Sequence, residues 1–279
     1  MAPVRDALGA SVDALAAIGV EDPRLDAEVM LAEATGWQRA ALVADPGAEL
    51  APAAARLFGE MVRRRLRREP VAYIVGRRGF RHLELEVDRR VLIPRPETEL
   101  LVEIALERAP ASLLDVGTGS GAIALAVADE LPGCAVTATD TSERALEVAR
   151  ANAGRLGLSE RVRFVAGTIP AEGTFDLVLA NLPYVAETDW PSLQPEVTGW
   201  EPREALLAGP DGLAAIRALL GDCGRGLGRI AAQTSAAIAL EVGEGQAPPV
   251  AELLREAGFT SIEVRRDLAG IERVVLGER

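Results

Sequence analysis

Over residues 3 to 68 apolar positions recur at helical spacing, beginning with Val4, Leu8, Val12 and Leu15. The following stretch, EDPRLDAEVMLAEATGW, opens with Asp22 and Pro23, a capping side chain and a ring suited to a first turn. A third helix is expected from Pro52 to Arg68. Together these predict a small helical domain over 1–70. From Pro70 the texture changes: VAYIVG leads into FRHLELEVDRRVLI, where Leu83, Leu85 and Val87 alternate with charged residues as in a half-exposed strand. Residues 71–92 are therefore expected as a β-hairpin linker. PRPETELLVEIALERA then starts a helix, with Pro96 and Glu97 near its first turn and Leu100, Leu101, Ile104 and Ala105 as its apolar stripe.

After residue 111 strands and helices alternate: SLLDV, a helix over 121–130, AVTATD, a helix over 142–155, RVRFVA and FDLVLA. A helix over 211–220, AAIALEV, a helix over 248–257, SIEVRRD and RVVLGE follow. Such alternation predicts a doubly wound α/β domain over 93–279 with a mostly parallel sheet.

Composition narrows the chemistry. In 279 residues, 42 acidic against 30 basic side chains give a net charge of −12, which argues against general affinity for nucleic acid. The basic run RRRLRR, residues 63–68, reads either as a contact for an acidic partner or as a solvated helix face complementing the C-terminal dipole. Cys134 and Cys223 lack metal-ligand spacing and are expected as buried, reduced thiols; His82, the sole histidine, is expected at the surface. No metal is expected. The first residues lack the basic and continuous apolar segments of a signal peptide, and no apolar run approaches about 20 residues, so a cytoplasmic protein without a membrane partner is expected.

Two strand ends carry candidate chemistry. LLDVGTGSGAIALA places Gly117, Gly119 and Gly121 between a strand and a helix, where missing side chains let the backbone turn sharply and approach a ligand. The next strand ends in Asp140, 19 residues after Gly121, placed to accept hydrogen bonds from both ribose hydroxyls of an adenosine. The spacing is G-x-G-x-G rather than G-x-G-x-x-G, favouring adenosyl-methionine over a dinucleotide. At the same rim FDLVLA runs into Asn181, Leu182, Pro183 and Tyr184. An amide nitrogen or adenine amine is a poor nucleophile because its lone pair is delocalised, so a methyltransferase on it works mainly by positioning. The Asn181 side-chain oxygen and the Leu182 carbonyl can accept its two N–H bonds, Tyr184 can stack on the planar group, and Pro183 stiffens the turn.

These stretches, with EPVAYIVG, LIPRPETE, EPREALLAGPDGL and LEVGEGQ, resemble the HemK/PrmC family of protein-(glutamine-N5) methyltransferases, which modify the Gly-Gly-Gln motif of peptide-chain release factors. The likeness covers nearly the whole chain, and LIPRPETE is its most diagnostic part. It implies a Rossmann-like seven-stranded AdoMet-dependent methyltransferase domain behind a small helical N-terminal domain and a β-hairpin linker. It implies S-adenosyl-L-methionine held by Gly117, Thr118, Gly119, Ser120, Gly121, Asp140, Ile169 and Asn181. It further implies substrate contacts and catalysis at Asn181, Leu182, Pro183 and Tyr184, with Arg95 and Glu97 near the entrance. From the residues alone, Arg95 and Glu97 read equally well as a surface pair at a helix start. The expected partner is a release factor, met by a monomer.

The chain departs from that pattern in three places. Leu182 stands where the family tetrapeptide usually has proline; its carbonyl remains and its place before Pro183 keeps it extended, so a somewhat softer loop is expected. Thr168 and Ile169 replace a common acidic and aromatic pair at the adenine, which predicts weaker cofactor affinity, with Ile169 covering a ring face. RGLGRIAAQTSAAIALEV lacks a usual Pro-Gly-Gly turn. Asn-Leu-Pro-Tyr also resembles the motif of rRNA adenine dimethyltransferases, which offers exocyclic-amine methylation of nucleic acid as an alternative. The net charge and the N-terminal domain with LIPRPETE stand against it. A divergent AdoMet-binding relative without turnover is the third reading.

Overall fold

The computed structural model describes residues 3–171, 173–221 and 237–279. Cys223 and the whole of RGLGRIAAQTS lie outside the described residues. The chain divides into two compact units, 1–77 together with 194–200, and 78–193 together with 201–279.

The first unit is helical: α1 (Val4–Ala17), α2 (Pro23–Thr35), α3 (Arg39–Ala44), α4 (Pro52–Arg65) and α5 (Val71–Val75), joined by α9 (Pro195–Trp200) from much later in the chain. Pro23 and Pro52 start α2 and α4 as expected, and Gly36 ends α2 in the left-handed conformation. Val4, Leu15, Ala27, Met30, Leu31, Leu42, Phe58 and Met61 interlock as its core. The structure corrects three readings here. VAYIV is helix α5, terminated by Gly76 at φ 78°, so only the later part of 71–92 forms the hairpin. The helix from Pro52 stops at Arg65, and the chain leaves it through a tighter turn that closes at Arg68 with a positive φ of 65°. The basic run is divided: Arg63 and Arg67 are exposed, as on a solvated face, whereas Arg64, Arg65 and Arg68 are ion-paired. Arg64 pairs with Glu69 at 2.7 Å, and the buried Arg65 bridges Asp26 and Glu196, each at 2.7 Å. Arg68 also reaches Glu196 at 2.7 Å.

β1 (Arg77–Phe80) and β2 (Leu83–Glu86) form the hairpin. Leu83 and Leu85 face the core while His82 is exposed. A 3-10 turn, Pro96–Thr98, leads into α6 (Glu99–Arg108). Then β3 (Ser112–Val116), α7 (Ala122–Glu130), β4 (Ala135–Asp140), α8 (Glu143–Arg155), β5 (Val162–Ala166) and β6 (Leu177–Ala180) alternate. A helical run over 214–221 (α10), β7 (Ala237–Glu241), α11 (Ala247–Glu256), β8 (Ser261–Arg266) and β9 (Glu272–Glu278) complete the second unit.

The seven strands lie in the order β5-β4-β3-β6-β7-β9-β8. β3 to β7 are parallel and β9 pairs antiparallel to both β7 and β8. The fully buried runs LVLA and AIALE follow from a sheet covered on both faces. One face packs on α6, α7 and the hairpin, the other on α10 and α11. β3 separates connections that wind in opposite directions, so the crevice beyond the ends of β3 and β6 is where such a sheet takes a ligand. The register brings Val116 beside both Thr139 and Ala180, which sets Gly117, Asp140 and Asn181 along one rim.

Candidate active site

At that rim a cleft of about 780 Å³, counting its open mouth, is lined by Gly117, Gly119, Asp140, Thr168 and Asn181 to Pro183 among others. Gly117 and Gly119 have φ of 76° and 56°, and a Cβ on Gly117 would stand 3.1 Å from the Leu182 side chain. The glycines therefore serve both the left-handed turn and the close approach. Gly121, at φ 87°, packs against Leu125 and Ala149 instead.

The turn is held from beneath. Asp115, fully buried, accepts from the Thr118 hydroxyl at 2.6 Å and from the Ala124 N–H at 3.2 Å; burial pushes its carboxyl up to about 7. Thr118 and Ser120 thus turn their side chains inward, while Gly117 and Gly119 line the cleft. The Asn152 side-chain N–H₂ donates to the carbonyls of Ser120 and Glu86, tying the turn to the hairpin. Asp140 accepts from the Gly119 N–H at 3.0 Å and the Ser142 N–H at 2.8 Å. A carboxylate with two such bonds keeps lone pairs for further donors.

On the opposite side Asn181 donates through Nδ2 to the Thr98 hydroxyl oxygen at 2.9 Å. Its Oδ1 and the Leu182 carbonyl accept no bond from the described residues. Leu182 packs its side chain onto the hydrophobic cluster of the α10 and α11 face. Tyr184 is half-buried beside Gly243, its hydroxyl pushed up to about 12 mainly by burial, and its carbonyl accepts from Gln246 Nε2 at 2.9 Å. Val185 is fastened to the segment 206–208 by bonds of 2.9 and 3.0 Å.

Of the remaining expected residues, Arg95 is ion-paired with the buried Glu201, which also accepts from the Ile93 N–H at 3.1 Å. Arg95 thus fixes the extended segment before the 3-10 turn. Glu97 lines a separate groove with Arg266 to Ala269, and both Arg95 and Glu97 act electrostatically on the Tyr184 hydroxyl. Ile169 is half-buried against the same cluster as Leu182, and Thr168 is the member of that pair that lines the cleft. Thr98, Asp115, Glu201 and Glu241 were not singled out from sequence. Asp115 and Glu241 each carry a local sign, an acid in an otherwise apolar strand.

The groups present fit an adenosyl ligand: a backbone cradle that a Cβ would crowd, and an acid at the neighbouring strand end with spare acceptor capacity. Residues 6–76 match the PrmC N-terminal domain family and residues 96–193 the methyltransferase small domain family. The release factor glutamine methyltransferase of Caulobacter vibrioides is 41% identical over 96% of this chain and 93% of its own. That of Moorella thermoacetica is 43% identical over 99% and 98%. The chain belongs to the release factor glutamine methyltransferase family. It is accordingly a methyltransferase, and its methyl donor is S-adenosyl-L-methionine. Among solved structures, the catalytic domain of hMettl16 in complex with a MAT2A 3'UTR hairpin superposes with a TM-score of 0.55 at 17% identity, covering 69% of this chain and 74% of that one. A methyltransferase from Pyrococcus furiosus gives 0.52 at 21%, covering 70% and 88%. Both likenesses are of fold. Among the described residues no helix is long and apolar enough to cross a membrane.

Proposed function

We propose that the protein methylates the side-chain amide nitrogen of the glutamine in the Gly-Gly-Gln motif of peptide-chain release factors. The observation that carries this is the pair of acceptors unengaged among the described residues, Asn181 Oδ1 and the Leu182 carbonyl, on consecutive residues that line the cleft. A primary amide presents two N–H donors in one plane, which two fixed acceptors hold in a single orientation. S-adenosyl-L-methionine supplies an electrophilic methyl group when bound. Gly117, Gly119 and Asp140 would hold it, with Thr168 at its adenine end. Positive charge developing on the substrate nitrogen strengthens the hydrogen bonds its two N–H groups donate, so Asn181 and Leu182 favour the transition state over the bound amide. Tyr184 packs on the amide plane, and Pro183 restricts the turn that carries both acceptors. No titratable base has to begin the reaction, because the proton can leave after transfer.

The names of the curated relatives support release factors as partners. In this reading the helical unit and the hairpin recognise the release factor, Arg95 and Glu97 shape the entrance, and the enzyme acts as a cytoplasmic monomer in translation termination. No direct contact with nucleic acid is required.

The test is incubation of the purified protein and S-adenosyl-L-methionine with a release factor and, separately, with ribosomal RNA, followed by mass spectrometry of both. One added methyl on the Gly-Gly-Gln glutamine is the expected result. Methyl-adenine in the RNA with an unmodified release factor would overturn it, as would cofactor binding with no transfer to either.

A further inference from the structure

The two ends of an asparagine amide are nearly the same shape, yet one accepts and the other donates, so the end facing the cleft decides whether a substrate N–H is welcomed or opposed. Thr98 lies behind Asn181. Its hydroxyl oxygen receives the Asn181 Nδ2 proton at 2.9 Å, which leaves its own proton for another acceptor, and the hydroxyl favours the ionised form of the neighbouring Glu241 carboxylate. Glu241 ends β7 with 2% of its surface exposed, and its Oε2 has no hydrogen-bond partner among the described residues.

The order of donors follows from proton count. An ionised carboxylate only accepts, so Thr98 must donate to it; a hydroxyl has one proton, so the contact left for Asn181 is an acceptor. Asn181 must then turn its N–H₂ toward Thr98 and its oxygen toward the cleft. We propose that Thr98 and Glu241 are positioning residues that lock the Asn181 amide with its oxygen facing the substrate. This rests on the reading above, in which the substrate offers N–H donors. A buried carboxylate oxygen without a partner is a poor device for stability, since its desolvation is not repaid by a bond.

The same count gives the relay a switch. A protonated Glu241 can donate to Thr98, the hydroxyl proton can then point at Asn181, and the amide is free to turn its N–H₂ into the cleft against the substrate's own. Burial is the main force raising this carboxyl, to about 7; Glu97 adds to it, while Arg273 and Arg95 oppose it, and the Tyr184 hydroxyl also faces the group.

The test uses the full chain with Thr98→Val, Thr98→Ser and Glu241→Gln. Thr98→Val is expected to lower kcat for release factor methylation at least about tenfold with cofactor Kd within about twofold, and Thr98→Ser to restore most of it. Wild-type kcat is expected to fall as pH drops through about 7, and Glu241→Gln to show a low, flat profile. An independent readout needs no substrate: the Asn181 side-chain N–H₂ protons, followed by NMR, should resist solvent exchange in the wild type and lose that protection in Thr98→Val. Equal exchange in both proteins, or a Glu241→Gln profile that keeps the wild-type limb, overturns the relay. Protected Asn181 protons in a wild-type protein that leaves the release factor unmodified would uphold the amide lock and overturn the substrate reading alone.

Discussion

At Leu182 one residue contributes through two separable parts. Its carbonyl belongs to the pair of acceptors, whereas its side chain packs toward Gly117 and into the cluster under α10 and α11. The sequence-based expectation of a softer loop considered only the loss of a proline ring. A side chain anchored on both the glycine turn and the core supplies restraint of another kind. Leu182→Ala keeps the carbonyl and removes the anchor, so it should cost about 1–3 kcal/mol of stability for a partly buried leucine and weaken cofactor binding. Asn181→Ala instead deletes an acceptor at the reacting group and should reduce kcat by about a hundredfold or more with little change in Tm. Denaturant melts, calorimetric Kd values and single-turnover rates on the two variants separate these effects. Asn181→Ala within threefold of wild-type kcat would remove the orienting role.

At the scale of elements, the loop leaving β6 is set by segments far away in sequence. Gln246, at the start of α11, donates to the Tyr184 carbonyl and accepts from the Gly243 N–H at 2.9 Å. Gly212 closes the same corner: a Cβ there would stand 2.2 Å from the Tyr184 carbonyl oxygen, at a φ of 73°. No rotamer relieves a contact between a Cβ and backbone, so Gly212→Ala must displace the turn carrying Tyr184, on top of about 1–3 kcal/mol for the left-handed conformation. The expected outcome is a fall in kcat/KM for the release factor of about tenfold or more with a smaller change in cofactor Kd. An unchanged kcat/KM would show that Tyr184 tolerates the shift. These constraints also mark what could be read in advance. Gly117, Asp140 and Asn181 were legible because each directly follows or ends an apolar strand, where the rim of a parallel sheet must be. Thr98 and Glu201 were not, because their partners are 83 and 106 residues away, and α3 and α9 are too short to show a period.

Across the whole molecule, long sequence separation is also why the ion pairs within RRRLRR were not legible: Arg65 and Arg68 meet Glu196, which joins the first unit only through folding. Folding likewise buries Asp115 and Glu241, and both carboxyls are pushed up to about 7, chiefly by desolvation. The folded chain therefore holds these protons more tightly than the unfolded chain, whose carboxyls titrate near 4. Their contribution is fully present below about 4 and declines as pH rises toward 7, at up to about 1.4 kcal/mol per pH unit for each group. Carboxylates held low by arginine, such as Asp88 and Glu130, act in the opposite sense, but their contribution is lost only below the ordinary carboxylate range. Between about pH 5 and 7 the two buried acids should dominate, so Tm is expected to fall across that window. Asp115→Asn, which keeps the size and removes the titration, should flatten the slope by roughly half. Tm measured in buffers of matched ionic strength checks this, and a Tm that rises from pH 5 to 7 in the wild type would contradict the burial argument. Glu241 places the cost where function needs it: the ionised form that orders Thr98 and Asn181 is the form that folding disfavours, so kcat is expected to climb over the interval in which Tm declines.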